Sequence, residues 1–140
     1  MRKIIISIFL ILTLHCAPAM SETAADWFNK ANALSNGKKY TDPIKAIEYL
    51  NNAIKLQPDD ENYYYNRGIA YDNVGQYQPA IKDHNQAIRL KPDYSEAFNN
   101  RGINYLSQGN NTLGCRDAQK ACALGNCKLL EMAKGRGVCP

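Results

Sequence analysis

The chain lacks the short motifs by which many enzymes are recognised. It has no glycine-rich phosphate loop, no H-E-x-x-H metal motif and no G-x-S-x-G turn. Histidine is scarce, with only 2 in 140 residues. Among its 5 cysteines the spacings C-x-x-C and C-x-x-C-H do not occur, so the redox motif and the covalent haem motif are both missing. The sequence therefore predicts no catalytic residue, no metal ligand and no cofactor.

An excess of charge of one sign is also missing. The formal net charge is +4 at pH 7, from 17 Lys and Arg against 13 Asp and Glu. The first nineteen residues contain two of the basic residues and no acidic one, so the rest of the chain is close to +2. These basic residues are dispersed along the chain, which is typical of a solvated surface. Charge therefore gives no argument for nucleic acid or an anionic membrane as partner.

Long apolar runs are absent after residue 19, and the run before it is short. Residues 2–3 are basic, residues 4–14 are mostly apolar, and Ala17-Pro18-Ala19 has the A-x-A form. Because a membrane-spanning helix needs about 20 apolar residues, this layout indicates a secretory signal peptide, residues 1–19, cleaved after Ala19. We expect an exported protein, in the periplasm or outside the cell, without a membrane span after cleavage.

The sequence does contain an internal repeat of 34 residues. Residues 64–71 read Y-Y-N-R-G-I-A-Y, and residues 98–105 read F-N-N-R-G-I-N-Y. In the same alignment Gly75 falls on Gly109 and Ala87 on Ala121. A period of this length indicates stacked helical hairpins, since a single hairpin cannot bury its apolar face alone.

The repeated pattern resembles the tetratricopeptide repeat. Residues 61–94 fill nearly every position of that family's pattern, with Tyr64, Gly68, Tyr71, Gly75, Tyr77, Ala80, Ala87 and Pro92. Its positions are also filled earlier in the chain, by Trp27, Ala31, Leu34, Ala46, Leu50, Ala53 and Pro58. His84 stands where the family has an aromatic residue, and we interpret it as a core histidine. The resemblance implies an all-α fold, a right-handed superhelical stack of three hairpins with a C-terminal capping helix.

We expect three repeats within residues 20–128, at about residues 24–58, 61–94 and 95–128. The first repeat is about three residues longer than the others, and the extra length falls in the turn-rich stretch 36–43. There Asp42 is suited to cap a helix that begins with Pro43. The third repeat loses the pattern after residue 112. Residues 127–140 then form a cap, with a helix at about residues 127–134 that covers the open end of the stack.

Four cysteines follow residue 19, and all lie in the last quarter of the chain: Cys115, Cys122, Cys127 and Cys139. In an exported protein this even number predicts two disulfides. Cys115 and Cys122 lie about 10 Å apart along one helix, too far to bond to each other. An antiparallel cap favours the nested pairs Cys122–Cys127 and Cys115–Cys139. The crossed pairs, Cys115–Cys127 and Cys122–Cys139, remain an alternative, as does a zinc site.

The resemblance implies that the first helix of each hairpin lines a concave groove. In that groove asparagine recurs at one position of every repeat, as Asn29, Asn66 and Asn100. A side-chain amide offers both a donor and an acceptor, so it can pair with a peptide group as another backbone would. We predict a peptide-binding site made of this asparagine ladder and its neighbours: Asn29, Asn66, Asn100, Tyr65, Ile69, Asn73 and Asn99.

By resemblance, the predicted function is a protein-binding or peptide-binding scaffold whose partner is an unknown protein or peptide. Two alternatives remain. In the first, the asparagines only bond neighbouring helices, and the protein is a structural subunit of an envelope assembly with an unused groove. In the second, which is weaker, the cysteines serve a metal or redox function.

The position of the mature N-terminus tests the export prediction. We expect N-terminal sequencing of the protein from its native host to begin at Met20. A second interpretation attaches lipid to Cys16, but lipoprotein signals resemble one another in having a small residue just before that cysteine, where this chain has His15. An N-terminus at a lipidated Cys16, with partition into detergent, contradicts the prediction.

Overall fold

The computed structural model describes residues 21–37 and 39–140, and this part of the chain forms seven helices. They are α1 (Ala24–Asn32), α2 (Pro43–Leu56), α3 (Glu61–Asn73), α4 (Tyr77–Leu90), α5 (Ser95–Ser107), α6 (Asn111–Ala123) and α7 (Lys128–Gly135). The expected signal peptide, residues 1–19, lies outside the described residues. None of these seven helices is long and apolar enough to cross a membrane.

The helices pack as three consecutive hairpins, α1–α2, α3–α4 and α5–α6, each against the next. The last helix, α7, packs on α5 and α6 and covers the C-terminal end of the stack. This arrangement confirms the all-α stack that the 34-residue period predicts.

Local chemistry explains where the helices begin and end. The Asp42 carboxylate accepts a hydrogen bond from the Lys45 backbone N–H at 3.0 Å, and Pro43 opens α2. Asn110 caps α6 in the same way through the Leu113 N–H. After α3, α5 and α6 the chain reverses at glycines with φ of +73°, +76° and +96°, at positions 75, 109 and 125. Residues with a Cβ adopt such angles only at a cost, so these glycines fix the hairpin turns.

Small side chains at the repeat positions bring the two helices of a hairpin close together. A Cβ at Gly68 would lie 2.6 Å from Cε1 of His84 on α4, and a Cβ at Gly102 would lie 3.2 Å from Cβ of Asp117 and 3.2 Å from the Gly114 carbonyl oxygen on α6. His84 is fully buried, as expected of a core histidine. Its imidazole lies against Gly68, so the glycine makes room for a ring where larger residues would clash.

A largely buried arginine fork joins the hairpins, and it was not predicted from the sequence. The Arg67 Nε and Nη2 donate to the two carboxylate oxygens of Asp83, both at 2.7 Å. The Arg67 Nη1 donates to Asn51 Oδ1, at 2.6 Å, on the preceding hairpin. Burial lowers the pKa of Arg67, but its hydrogen bonds to Asp83 and the charge of that carboxylate outweigh this effect and raise it. Arg67 therefore stays charged at any physiological pH.

The same fork recurs 34 residues later. Arg101 donates to both carboxylate oxygens of Asp117 at 2.7 Å and to Asn85 Oδ1 at 2.6 Å. In the first repeat the corresponding positions hold Lys30 and Tyr49, and the Lys30 Nζ lies 5.9 Å from the centroid of the Tyr49 ring. The second and third hairpins are thus each bonded to the hairpin before them through one arginine.

Two disulfides fasten the cap. Cys115 pairs with Cys139, with their Cα atoms 5.5 Å apart, and Cys122 pairs with Cys127. This is the nested arrangement that the sequence favours over the crossed one. Inside it, Leu129 and Ala133 of α7 are buried against the end of the stack. The C-terminal segment is therefore held by covalent bonds and by apolar contact together.

The arginine fork predicts that a double substitution costs less stability than one of its single substitutions. We expect Asp117→Ala to cost about 2 to 3 kcal/mol, because Arg101 would stay largely buried without its carboxylate. The double variant Arg101→Met/Asp117→Ala should cost less than Asp117→Ala alone, since it leaves no unpaired buried charge. Urea unfolding measures both, with exposed Asp59→Ala as a control near zero. A double variant that is less stable than the single one contradicts the fork's role.

The outer disulfide gives a second prediction. The bond spans a sequence separation of 24 residues, so it should contribute about 3 kcal/mol through loop entropy. Because repeats couple mainly to their neighbours, Cys115→Ser/Cys139→Ser should fray the C-terminal end first and leave Trp27 fluorescence nearly unchanged until later. Hydrogen exchange locates the fraying, a melting curve followed by circular dichroism measures the loss of stability, and Trp27 fluorescence reports the N-terminal hairpin. A variant with an unaltered melting curve, or a mass map with Cys122 free in the oxidised protein, contradicts it.

Candidate functional site

The inner faces of α3 and α5 form an open groove of about 590 Å³. Its lining residues are Tyr65, Ile69, Asp72 and Asn73 of α3, Asn100, Ile103, Asn104 and Ser107 of α5, Tyr77 of α4, Lys128 of α7, and Gly37 and Lys39 of the loop between α1 and α2. Four of the seven predicted site residues lie together here: Tyr65, Ile69, Asn73 and Asn100. Asn66 and Asn99 lie on the same two helices but outside the lining, and Asn29 is exposed on α1.

Tyr65 and Asn100 connect the two helices across the groove. The Asn100 Nδ2 donates to the Tyr65 hydroxyl at 3.3 Å, and the Asn99 Nδ2 donates to Asn100 Oδ1 at 3.4 Å. The Tyr65 ring packs on the Tyr94 ring, with a centroid distance of 4.8 Å. Burial, with a smaller effect of the Glu96 charge, raises the pKa of Tyr65. Its hydroxyl therefore keeps a proton that it can donate.

Asn66 and Asn73 are already bonded to other parts of this chain. The Asn66 Nδ2 donates to the Asn62 carbonyl at 2.8 Å, and the Tyr40 hydroxyl donates to Asn66 Oδ1 at 3.1 Å. The Tyr40 backbone N–H donates to Asn73 Oδ1 at 2.7 Å. Burial raises the pKa of Tyr40 to about 12, so its hydroxyl is a donor throughout the neutral range. From the sequence, the stretch around Tyr40 is predicted only as extra loop length.

Polar groups also lie beneath the groove. The His84 Nε2 is 3.3 Å from Asp72 Oδ2, and Asn104 is almost completely buried. Asn104 stands where the second repeat has the buried Ala70. This difference is visible in the alignment of the repeats and could have identified Asn104 from sequence. Within residues 21–37 and 39–140, no three His, Cys, Asp or Glu side chains are grouped as they would be to hold a metal ion.

Comparison with protein families identifies two of the three hairpins. Two family models, both described as "Tetratricopeptide repeat", match residues 27–60 and residues 62–94. The third hairpin, α5–α6, lies outside both matches. No curated protein matches the chain.

Solved structures resemble most of the chain. The tetratricopeptide domain of Arabidopsis OM64 is 25% identical with a TM-score of 0.75, over 81% of this chain and 93% of that one. The second such domain of Spaghetti (RPAP3), bound to the HSP90 peptide SRMEEVD, is 28% identical with a TM-score of 0.67, over 74% and 93%. The second domain of human RPAP3, in complex with the HSP70 peptide SGPTIEEVD, is 26% identical with a TM-score of 0.70, over 77% and 89%.

Proposed function

Since the chain belongs to the tetratricopeptide-repeat family, we propose that it is a scaffold that binds an extended segment of a partner protein. The observation that carries this proposal is the groove between α3 and α5, which brings four of the predicted residues together. Similar domains with solved structures hold peptides. Binding, rather than catalysis, is the general function of this fold, and a groove lined by amides and apolar side chains suits it.

The groove offers hydrogen-bonding groups for the main chain of a bound peptide and an apolar surface for one of its side chains. The Asn100 amide bonds to Tyr65 and Asn99 at 3.3 and 3.4 Å, longer than the bonds of 2.8 and 3.1 Å at Asn66. It keeps one N–H that neither bond uses, and this N–H and the Tyr65 hydroxyl can pair with peptide groups. Ile69 and Ile103 lie on the facing helices, and Ile103 is 39% exposed. An extended segment that bonds to Asn100 through its backbone would place one apolar side chain over these isoleucines. Burial of that side chain would supply most of the affinity.

Of the three asparagines in the predicted ladder, only one is a main contact in this proposal. Asn100 is the rung that lines the groove, and we propose it as the main contact. At Asn66 the oxygen already accepts from Tyr40 and one N–H already donates to Asn62, so this rung offers one remaining N–H. Asn29 is exposed and would serve only a segment that reaches α1.

Charge distinguishes the proposed partner from the peptides of the similar structures. Those peptides, SRMEEVD and SGPTIEEVD, end in acidic residues. Here Asp72 lines the groove and Glu96 is exposed on α5, while the lining lysines come from the loop and from α7, as Lys39 and Lys128. The lining combines one carboxylate with two lysines and is otherwise uncharged, so we propose a neutral segment with an apolar side chain.

We also propose that the protein acts outside the cytoplasm. The N-terminal signal pattern supports this, and so do the paired cysteines of the cap, because disulfides persist in oxidising compartments.

A structural role in an envelope assembly is the second candidate function. Ile44 and Leu56 of α2 are 64% and 53% exposed, and exposed apolar side chains favour a protein contact outside the groove. The measurement that separates the two candidates is cross-linking in the native host, from position 44 and from position 103. Capture from position 44 alone favours the assembly.

Peptide selection tests the proposed function directly. A phage library of random dodecapeptides is selected on the purified protein, and the affinity of the selected peptides is measured by fluorescence anisotropy. Asn100→Ala should weaken binding about fivefold to tenfold, because the peptide group that it served is left unpaired. Tyr65→Ala should weaken it further, through loss of an aromatic contact.

Gln119→Ala is the matched control, since it removes an exposed side-chain amide on α6, away from the groove. It should leave the affinity unchanged. Melting curves of all three variants separate a loss of binding from a loss of fold. If Asn100→Ala lowers the melting temperature and leaves the affinity unchanged, the asparagine is structural and the groove proposal is wrong.

A further inference from the structure

The loop of the first hairpin differs from the other two in length and in structure. Three residues separate α3 from α4 and α5 from α6, whereas ten separate α1 from α2. Within the long loop, residues 35–37 and 39–41 form a compact turn that we call the strap. The Thr41 N–H and hydroxyl both bond to the Leu34 carbonyl, at 2.8 and 2.9 Å. The Asn36 N–H donates to the Lys39 carbonyl at 3.0 Å. Hydrogen bonds therefore hold the described residues of the strap together.

The strap is anchored on the inner face of α3. Tyr40 is 6% exposed and packs with Ala46 and Ala70, beside the partly buried Ile69. Its backbone N–H donates to Asn73 Oδ1 at 2.7 Å, and its hydroxyl donates to Asn66 Oδ1 at 3.1 Å. One residue of the chain thus makes a backbone contact and a side-chain contact with two of the predicted binding residues.

These are the contacts that a bound peptide would make there. A peptide N–H and a side-chain hydroxyl would seek the same two amide oxygens. We propose that the strap is a built-in occupant of the groove at α3, so that the partner's segment is confined to the stretch from Lys39 across α5 to Lys128. This inference rests on the proposed function, and it adds which part of the groove a partner uses.

The packing indicates that the strap stays in place when a partner binds. Displacing it would expose the Tyr40 ring and leave the oxygens of Asn66 and Asn73 in need of new donors. Gly37 and Lys39 of the strap line the open part of the groove, so the strap also forms its end wall. A segment that entered from the α5 side would meet Lys39 and stop there.

The first experiment tests the strap without any partner. Hydrogen exchange followed by NMR should find the Tyr40 amide protected in the free protein. Asn73→Ala should speed its exchange about tenfold, because the acceptor of that N–H is lost. Ser107→Ala is the matched control, since Ser107 is the 34-residue equivalent of Asn73 in a hairpin without a strap. Fast exchange of Tyr40 in the unaltered protein overturns the inference.

The second experiment maps where a segment lies. A photo-crosslinking amino acid is placed at position 29 on α1 or at position 103 on α5, and the probe is the random dodecapeptide phage library. We expect capture from position 103 alone. After deletion of residues 37–39, which restores the 34-residue period, we expect capture from both positions. Circular dichroism confirms that the deletion variant is folded, and Asn73→Ala, which keeps the loop length, serves as a second release variant.

Failure of this inference and failure of the proposed function look different. Capture from position 29 in the unaltered protein overturns the confinement of the segment, although the groove still binds peptides. Capture from position 103 alone in both release variants overturns the strap's role. If neither position captures a peptide in any variant, the proposed function fails, and the inference fails with it.

Discussion

The two arginine forks fix the geometry on which the rest of the structure depends. Each arginine bonds the second helix of its own hairpin and the second helix of the hairpin before it. A guanidinium is planar and binds a carboxylate through two parallel bonds, so it sets an orientation as well as a distance. Desolvation offsets much of the attraction in a buried ion pair. We therefore interpret the forks as selecting one packing angle, which aligns the inner faces of α3 and α5 into a groove.

Much of the fold can be predicted from the sequence, because the repeat period, the turn glycines and the helix caps are local signals. The arginine forks, by contrast, were not predicted. Arg67, Asp83 and Asn51 recur 34 residues later as Arg101, Asp117 and Asn85, so the pattern was present in the sequence. Charged residues spread along a chain are usually solvated, and only tertiary packing shows that two of these carboxylates are buried. An arginine and an aspartate that both recur at the repeat period are the sequence signal of such a fork.

The candidate site was harder to predict than the fold. The periodicity placed Tyr65, Ile69, Asn73 and Asn100 on the groove side, and these four line the groove. It could not show that Tyr40, in a loop that differs from the repeat, would bond to Asn66 and Asn73. Such contacts join residues that are 26 and 33 positions apart in the sequence. They depend on how the loop folds back, which no local sequence pattern predicts. A residue type that recurs at one repeat position indicates that those residues share a face of the stack. It does not show which of them can bond to a partner.

The central claim is that an extended segment lies along Asn100 in the groove between α3 and α5. The most direct measurement is NMR of the asparagine side-chain amides during titration with a selected peptide. The account predicts that the Asn100 amide signals shift, while those of Asn51 and Asn85, which are held by the arginine forks, stay in place. Shifts confined to Asn51, Asn85 or other residues outside the groove, with Asn100 unchanged, contradict it.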